Sequence, residues 1–184
     1  MSSPVQRKIE FIWTEPRPPI AVPGRLSFQP VVEGVALELL LRTIADALGD
    51  SLDAGHRQTV ARVGARAFAE RFIAPDRGLV FEQSWWHLSL TARGDVVGFH
   101  MPVAFRGCAQ DGKDECTLRL IGVVPAFRGH GYIDDILAHA TRTMQERGTW
   151  RIYCDTDVTN LPMVAAFERV GYERGRIREV PIEA

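Results

Sequence analysis

Residues 122–133 read GVVPAFRGHGYI, and the rest of the chain is arranged around this stretch. A strand-like segment, residues 116–121, precedes it, and an amphipathic helical pattern follows it as far as residue 147. Glycines let a backbone approach a ligand closely, and the free N–H groups and dipole of a helix start favour phosphate. Arg128 adds a fixed positive charge that suits phosphate oxygens. The stretch therefore predicts a strand, a tight turn and a helix start that together hold an anion.

Two better-known phosphate-binding motifs do not fit this stretch. A Walker A loop requires a Lys after its last glycine, and no Lys follows Gly129 or Gly131. A dinucleotide fingerprint requires a third glycine, and Asp134 occupies that place. The missing Lys and metal-binding hydroxyl disfavour a nucleoside triphosphate site, and we expect no metal site.

The stretch and a second block downstream resemble the GNAT acetyltransferases. The family signature, Q/R-x-x-G-x-G/A after a strand ending in V-x-P, is matched by Val123 to Pro125 and RGHGYI, with Ile133 where Gly or Ala is usual. The second block, Asn160 to Tyr172, is similar to the family's N-x-x-A/M-x-x-x-Y/F-x-x-x-G-F/Y helix. The two blocks have the expected order and spacing over residues 115–172, whereas the first half of the chain matches only in the order of its elements.

The resemblance implies an acetyl-CoA-dependent N-acetyltransferase that moves the acetyl group directly to an amine, either a small primary amine or a polypeptide amine. The carried-over cofactor-binding positions are Val123, Arg128, Gly129, His130, Gly131, Tyr132, Ile133, Asn160 and Phe167. Asn160 is an equally good helix N-cap. The departure at Ile133 and the lack of an obvious acid favour the rival interpretation, a non-catalytic acyl-CoA-binding module.

Acetyl transfer to an amine calls for a base, because the amine is protonated near pH 7. Glu115, on the polar face of the central strand, is the family-like candidate, and His100 and His87 are the alternatives. For a catalytic acid, Phe167 stands where the family commonly carries a tyrosine. Tyr153, on the strand next to the expected splay, is the best replacement among the three tyrosines.

Three further groups have weaker functional interpretations. Asp155 and Asp157 could bind a cationic acceptor. Cys154 is a weak candidate for a nucleophile, because a cysteine is more often a small buried side chain. In the resembled family the loop at residues 50–55 usually forms a wall of the acceptor site.

The composition is that of one soluble domain of 184 residues with a net charge of -1. This charge gives no general attraction to nucleic acid or to a membrane. Three cysteines do not make a disulfide framework, so we expect a reducing cytoplasm.

The predicted fold class is α/β, a single GNAT-like domain at residues 25–184 with a mixed, mostly antiparallel sheet, a central splay and about four flanking helices. One helix is expected at residues 56–72, and Gly122 is expected to mark a bulge or the close approach of a ligand. Residues 1–24 are predicted as a Pro-rich arm, either loose or laid across a neighbour. One strand fits after the last helix where the family usually has two, so the missing strand is absent, supplied by the arm, or supplied by a second chain of a homodimer.

Overall fold

One sheet of eight strands runs through the computed structural model, which describes residues 5–182. Its order is β2-β4-β5-β6-β7-β1-β8, with β3 paired to β5, and every pair is antiparallel except β6–β7. The strands are β1 (Val5–Thr14), β2 (Ser27–Pro30), β3 (Leu79–Val80), β4 (His87–Leu90), β5 (Val96–Phe105), β6 (Asp114–Val123), β7 (Thr149–Asp157) and β8 (Glu173–Pro181). The helices are α1 (Val35–Gly49), α2 (Ala54–Val63), α3 (Ala65–Ile73), α4 (Tyr132–Glu146) and α5 (Leu161–Val170).

The central splay separates β6 from β7. These two parallel strands pair only over residues 114–116 of β6, and the rest of β6 has no ladder with β7. The predicted splay is therefore confirmed. The strands open because β6 stays on β5 as far as Val123 while β7 turns to β1.

The bulge of β6 lies at Arg119 and not at Gly122, so the first of the two expectations for Gly122 is wrong. Leu118 lies opposite Pro102 and Leu120 opposite the preceding residue of β5, which leaves Arg119 as the extra residue. Pro102 has no N–H to give to the ladder, which is the physical reason for the irregularity. Gly122 serves close packing instead, since a Cβ there would lie 3.3 Å from the Cβ of Ala47 in α1.

The two faces of the sheet carry different helices. A Cβ on Gly98 would lie 2.8 Å from Cδ1 of Ile136 in α4, whereas one on Gly122 would meet α1. Gly98 pairs with Val123, and Gly122 pairs with Phe99. Because successive side chains alternate between faces, α4 covers one side of β5 and β6 and α1 covers the other.

The predicted N-terminal arm contributes an inner strand. β1 lies between β7 and β8, and its Ile9, Phe11 and Trp13 are buried. The structure thus selects, from the three options for the missing strand, the one in which the arm supplies it. The Pro-rich segment that follows is tied to the end of α4, where Gln145 accepts from the N–H of Ile20 at 2.9 Å.

The helix expected over residues 56–72 is two helices, α2 and α3. Gly64 between them has φ +84°, which lies outside the right-handed helical region and ends the first helix. The chain therefore has five α-helices within residues 5–182 rather than about four. None of the helices in this range combines the length and the apolar character that crossing a membrane requires.

Candidate active site

A cleft of about 730 Å³ opens in the splay between β6 and β7. Its walls are the open edge of β6, the glycine loop and start of α4, the end of α1 with the loop after it, the inner part of β7, and the start of α5. The glycine loop is residues 128–131, and it lies at the end of the cleft nearest the C-terminus of β6. We call this the phosphate end, and we call the opposite side, which includes β1, β8 and the α1–α2 loop, the acceptor end.

The edge of β6 presents backbone hydrogen-bonding groups to the cleft. Val124 donates its N–H to the carbonyl of Val97 at 3.0 Å, which makes these two residues a hydrogen-bonded pair. Hydrogen-bonded and non-hydrogen-bonded pairs alternate in an antiparallel ladder. The N–H and C=O groups of Val123 and Ile121 therefore point away from β5, toward the side where β7 has left the sheet.

The glycine loop directs N–H groups and carbonyls to different partners. Gly129 and Gly131 have φ +83° and +71°, conformations that side chains rarely adopt. Arg25 donates to the carbonyls of His130 and Gly131 at 3.1 and 3.0 Å. Within residues 5–182, the N–H groups of residues 129–131 have no protein acceptor. They are thus available to an anion at the start of α4.

Arg128 is not a free positive charge for phosphate, which corrects the role predicted for its side chain. Its guanidinium donates to the carbonyls of Val123 at 3.2 Å, Asp50 at 2.6 Å and Ala47 at 3.1 Å, and it also pairs with the Asp50 carboxylate at 2.8 Å. These contacts use carbonyls at the end of α1, which a helix leaves without partners. Arg128 therefore fastens the loop to α1, which leaves the backbone N–H groups of the loop as the donors available to an anion.

The two carboxylates at the start of α4 are neutralised by partners. Asp134 accepts from Arg169 at 2.9 and 2.7 Å. Asp135 is fully buried and accepts from Arg25. Because both negative charges are paired, they oppose an anion at the loop less than the sequence alone indicates.

The remaining cofactor-binding predictions fall into two groups. Gly129, Gly131, Tyr132 and Ile133 line the cleft, as do Asn160 and Phe167, whereas the side chain of His130 is exposed and is not among the lining residues. Asn160 stands at the N-cap position of α5, but its side chain makes no capping bond and donates to Oγ1 of Thr156 at 3.3 Å. Phe167 is buried and stacks on Phe11 at a ring-centroid distance of 4.6 Å.

Glu115, the predicted base, lies outside the cleft. It sits on the paired segment of β6, before the splay begins, and is not a lining residue. Its carboxylate accepts from Arg151 at 2.7 Å. His100 and His87, the alternative bases, are likewise absent from the cleft wall.

Tyr153 does lie in the cleft. Its hydroxyl donates to Oε1 of Glu10 at 2.9 Å. Burial, together with this hydrogen bond, raises the pKa of Tyr153. Its proton is therefore held by Glu10, and a role as the acid would require that bond to break.

Asp155 and Asp157 are already occupied. Asp155 pairs with Arg178 and lies 3.8 Å from Lys8. Asp157 accepts from the N–H of Ala54 at 3.2 Å through Oδ2, and its other oxygen accepts from residue 159. Neither forms a free acidic pocket for a cationic acceptor. Burial raises the pKa of Cys154 to about 12, so this thiol stays protonated at neutral pH and is a poor nucleophile.

Sequence reasoning missed His56, which lines the acceptor end at the start of α2. Its Nδ1 lies 3.4 Å from Oγ of Ser51. Burial lowers the pKa of His56, although Asp53 raises it in part. Asp53 itself caps α2 by accepting from the N–H of His56 at 3.1 Å and pairs with Lys8 at 2.6 Å. The sequence feature that could have identified His56 is its position directly after residues 50–55, the loop expected to form a wall of the acceptor site.

Arg119 is the second residue that the sequence did not single out. It lines the cleft, and its Nη2 donates to the carbonyl of Arg71 at 3.0 Å. Its Nη1 is buried and has no hydrogen-bond partner within residues 5–182. Because Arg119 is the extra residue of the bulge, the alternation of side chains along β6 does not determine the direction of its side chain.

Comparisons with known proteins agree with this geometry. The chain is 26% identical over 160 residues to mycothiol acetyltransferase of Kytococcus sedentarius, which covers 87% of this chain and 49% of that protein. Among solved structures, a GCN5-related N-acetyltransferase from Sphaerobacter thermophilus has a TM-score of 0.60 at 16% identity over 98% of this chain and 53% of that one. A tandem GNAT protein from the clavulanic acid biosynthesis pathway has a TM-score of 0.56 at 16% identity over 99% and 55%.

The chain spans about half the length of these relatives. The solved structures share its fold, as the predicted fold class requires. The family model for acetyltransferases of the GNAT type matches residues 43–172, which is more than half of the chain and includes both sequence blocks. The chain therefore belongs to the acetyltransferase (GNAT) family.

Proposed function

We propose that this protein transfers an acetyl group from acetyl-CoA to an amine. The observation that carries the proposal is that two sets of backbone N–H groups follow one another along the same cleft. The unpaired N–H groups of residues 129–131 lie at one end, and the outward-facing N–H groups of Val123 and Ile121 follow along β6. A phosphorylated ligand with an amide-containing arm matches both sets.

The pyrophosphate of acetyl-CoA would bind to the N–H groups of the glycine loop and to the dipole at the start of α4. The pantetheine amides would extend along β6 as an added strand, using groups that β7 leaves unpaired. Val123 already gives its carbonyl to Arg128. Because the thioester lies farther from the pyrophosphate than the pantetheine amides do, we place its carbonyl at the N–H of Ile121, the outward-facing residue farther from the glycine loop, where a fixed donor would stabilise the developing oxyanion.

His56 is our proposed general base. Its lowered pKa keeps the imidazole neutral at pH 7, and a neutral imidazole can take the proton that the ammonium form of the acceptor must lose. It stands on the loop side of the acceptor end. Its Nδ1 lies beside Oγ of Ser51, so we assign the role of base to Nε2.

The acceptor is proposed to carry a negative group besides its amine. Four of the five cationic lining side chains pair with carboxylates, and Arg119 is the one without an ion-pair partner within residues 5–182. Arg119 precedes Ile121 on β6 and lies on the side away from the glycine loop, with a buried Nη1 that lacks a partner. A carboxylate or phosphate on the acceptor would satisfy that nitrogen.

The test has two stages. Calorimetry against acetyl-CoA, CoA and ATP should show binding of the first two and little binding of ATP, because the loop lacks the Lys of a nucleotide site. Thioester consumption is then measured with paired amines that differ only in a carboxylate group. Faster turnover of the carboxylated member, lost in Arg119→Met, is expected, whereas equal rates would refute the anionic acceptor.

A non-catalytic acyl-CoA-binding module is the second candidate. The observations that favour it are Phe167 at the position of the family's usual tyrosine and Glu115 outside the cleft. It predicts tight binding of acetyl-CoA without thioester consumption by any amine. Failure to bind acetyl-CoA would reject both candidates.

The chain spans about half the length of its relatives, so we keep the homodimer as a proposal. In it, two copies of the chain would correspond to the two halves of a longer relative. Sedimentation of the chain with and without acetyl-CoA tests it. We also retain the cytoplasm as the proposed compartment, since all three cysteines are unpaired.

A further inference from the structure

Three histidines meet on the face of the sheet that α4 covers. His87 lies on β4, His100 on β5 and His139 on α4. Their ring centroids are 5.0, 5.0 and 4.9 Å apart, so the rings form a nearly equilateral triangle. One ring nitrogen from each lies within 4.8 Å of the other two. None of the three lines the acetyl-CoA cleft.

The packing around the cluster brings the three rings together. His87 pairs with His100 across β4 and β5, so their side chains share a face. His100 is fully buried. Phe28 of β2 stacks on His139 with a centroid distance of 3.7 Å and an interplanar angle of 7°. The cluster is therefore held by three strands and one helix.

The contacts of the three rings show which ring nitrogens face one another. His87 has Nδ1 at 3.0 Å from the carbonyl of Trp85, which can only accept, so Nδ1 carries the proton and Nε2 carries a lone pair. Nε2 of His100 and Nδ1 of His139 are 2.8 Å apart. Nδ1 of His100 is buried with no partner within residues 5–182. This atom keeps no partner when Nε2 binds an ion, so the case for an ion rests on the nitrogens that face one another.

Burial disfavours the protonated form of each of the three imidazoles. Burial lowers the pKa of His87, and burial with the two neighbouring histidines lowers the pKa of His100 well below its ordinary value. Burial lowers the pKa of His139 to about 4. Metal ligation by histidine requires the neutral ring. The contact of His87 with a backbone carbonyl is also the usual second partner of a metal-ligating histidine.

We propose that His87, His100 and His139 bind one divalent transition metal ion, with Zn²⁺ as the first choice. Nitrogen ligands at about 2.0–2.1 Å in a tetrahedron are about 3.4 Å apart, and their rings lie about 5 Å apart, which is the spacing of this triangle. Rotation about the soft terminal torsions of the side chains brings the widest pair of nitrogens to that distance. A site made of imidazoles alone suits zinc, cobalt, nickel or copper and not magnesium or calcium.

The fourth position of the ion would be held by water. Ser89 lies on the same face of β4 as His87, and its Oγ is buried without a partner within residues 5–182. A metal-bound water on this face would give that hydroxyl an acceptor or donor. The ion would then join β4 and β5 to α4, the helix whose first turn binds the phosphate, and so stabilise the folded chain.

The experiment uses the full chain without an affinity tag, stripped with a chelator. Calorimetry with ZnCl₂ should give one saturable site per chain, and the melting temperature should rise with the zinc concentration. Cobalt in place of zinc should give the intense visible absorption of a tetrahedral site. His87→Gln and His139→Gln should each weaken zinc binding at least about tenfold, because losing a ligand should cost no less than losing an outer-shell partner of a ligand. His130→Gln, which changes an exposed histidine outside the triangle, should bind zinc like the parent.

Several outcomes would overturn the proposal. They are the absence of one-to-one binding in the parent, equal zinc affinity in the two ligand variants and the parent, or weak octahedral absorption with cobalt. Circular dichroism reports whether each variant folds. The cobalt spectrum of the parent decides the question even where a variant does not.

Discussion

The phosphate end of the cleft comes from one continuous stretch, residues 122–133, whereas the acceptor end is assembled from β1, the α1–α2 loop, β7 and β8. At the phosphate end, backbone N–H groups are presented by glycines with positive φ, and side chains serve to fasten the loop. At the acceptor end, paired side chains form the wall, such as Lys8 with Asp53 and Tyr153 with Glu10. The first end therefore depends on backbone shape, and the second on charges brought together by the fold.

The largest effect is expected at the acceptor end. His56→Gln should lower turnover by about 10²–10⁴-fold, the usual contribution of a general base, with the affinity for acetyl-CoA unchanged. In the parent, the rate should fall as the pH drops through the lowered pKa of His56, below its ordinary value of 6.5, because protonation removes the base. The variant should lack this limb. A parental rate and pH profile in the variant would remove His56 from the mechanism.

The phosphate end should respond in affinity rather than in chemistry. In Gly131→Val, a side chain enters where the backbone must approach the pyrophosphate, and CoA affinity by calorimetry should fall by more than about tenfold. Gly148→Val is the matched control, because Gly148 at the other end of α4 has φ +81° and open space around it. It should lose similar stability and keep its affinity. Unchanged affinity in Gly131→Val would reject the loop as the pyrophosphate site.

Tyr153→Phe should have a smaller effect, a loss of less than about tenfold in turnover. A thiol pKa of about 8.5 means that protonating the leaving thiolate at pH 7 gains only about 2 kcal/mol. The Tyr153 hydroxyl is also held by Glu10. A hundredfold loss, with the high-pH limb of the rate profile abolished, would instead identify Tyr153 as a required acid.

Glu115→Gln should change turnover by less than about twofold, because Glu115 lies outside the cleft and pairs with Arg151. The matched comparison is His56→Gln measured on the same amine. A larger loss and an altered low-pH limb in Glu115→Gln would instead identify Glu115 as the base and place the acceptor beside the start of β6.

Phe167→Tyr should have the smallest effect. It restores the tyrosine common in the family, but Phe167 is buried against Phe11, so acetyl-CoA affinity should stay nearly unchanged and turnover should stay equal or rise modestly. Initial rates and calorimetry measure this. A large gain would show that an acid was lacking and that the chemistry is limited by departure of the thiolate.

The same contrast explains which parts of the molecule could be predicted from sequence. The strand, glycine turn and helix at residues 116–147 follow from local alternation, glycine and helical spacing, so their prediction is confirmed. The broken helix at Gly64 was missed because an apolar stripe can continue across a change of axis. The bulge at Arg119 depends on Pro102 in another strand.

Roles set by distant partners were beyond the sequence. The charge of Arg128 is used by α1, and Glu115 meets Arg151 only once β6 and β7 pair. The histidine triangle joins residues 87, 100 and 139, whose separations match no compact ligand motif. In all three cases the role of a residue depends on contacts between elements that are distant in sequence. The spacing of hydrophobic residues along the chain does not reveal such contacts.

The position of β1 has a consequence for how the chain folds. Phe11 pairs with Cys154 and Ile9 pairs with Ile177, so β1 is synthesised long before its neighbours β7 and β8 and cannot pair with them until they exist. Contacts so far apart in sequence raise the contact order and slow folding. Until then the apolar side chains of β1 are open to other unpaired strands, which favours aggregation during synthesis or refolding. The rate-limiting step should therefore be insertion of β1 between β7 and β8, long after the turn at residues 128–131 has formed.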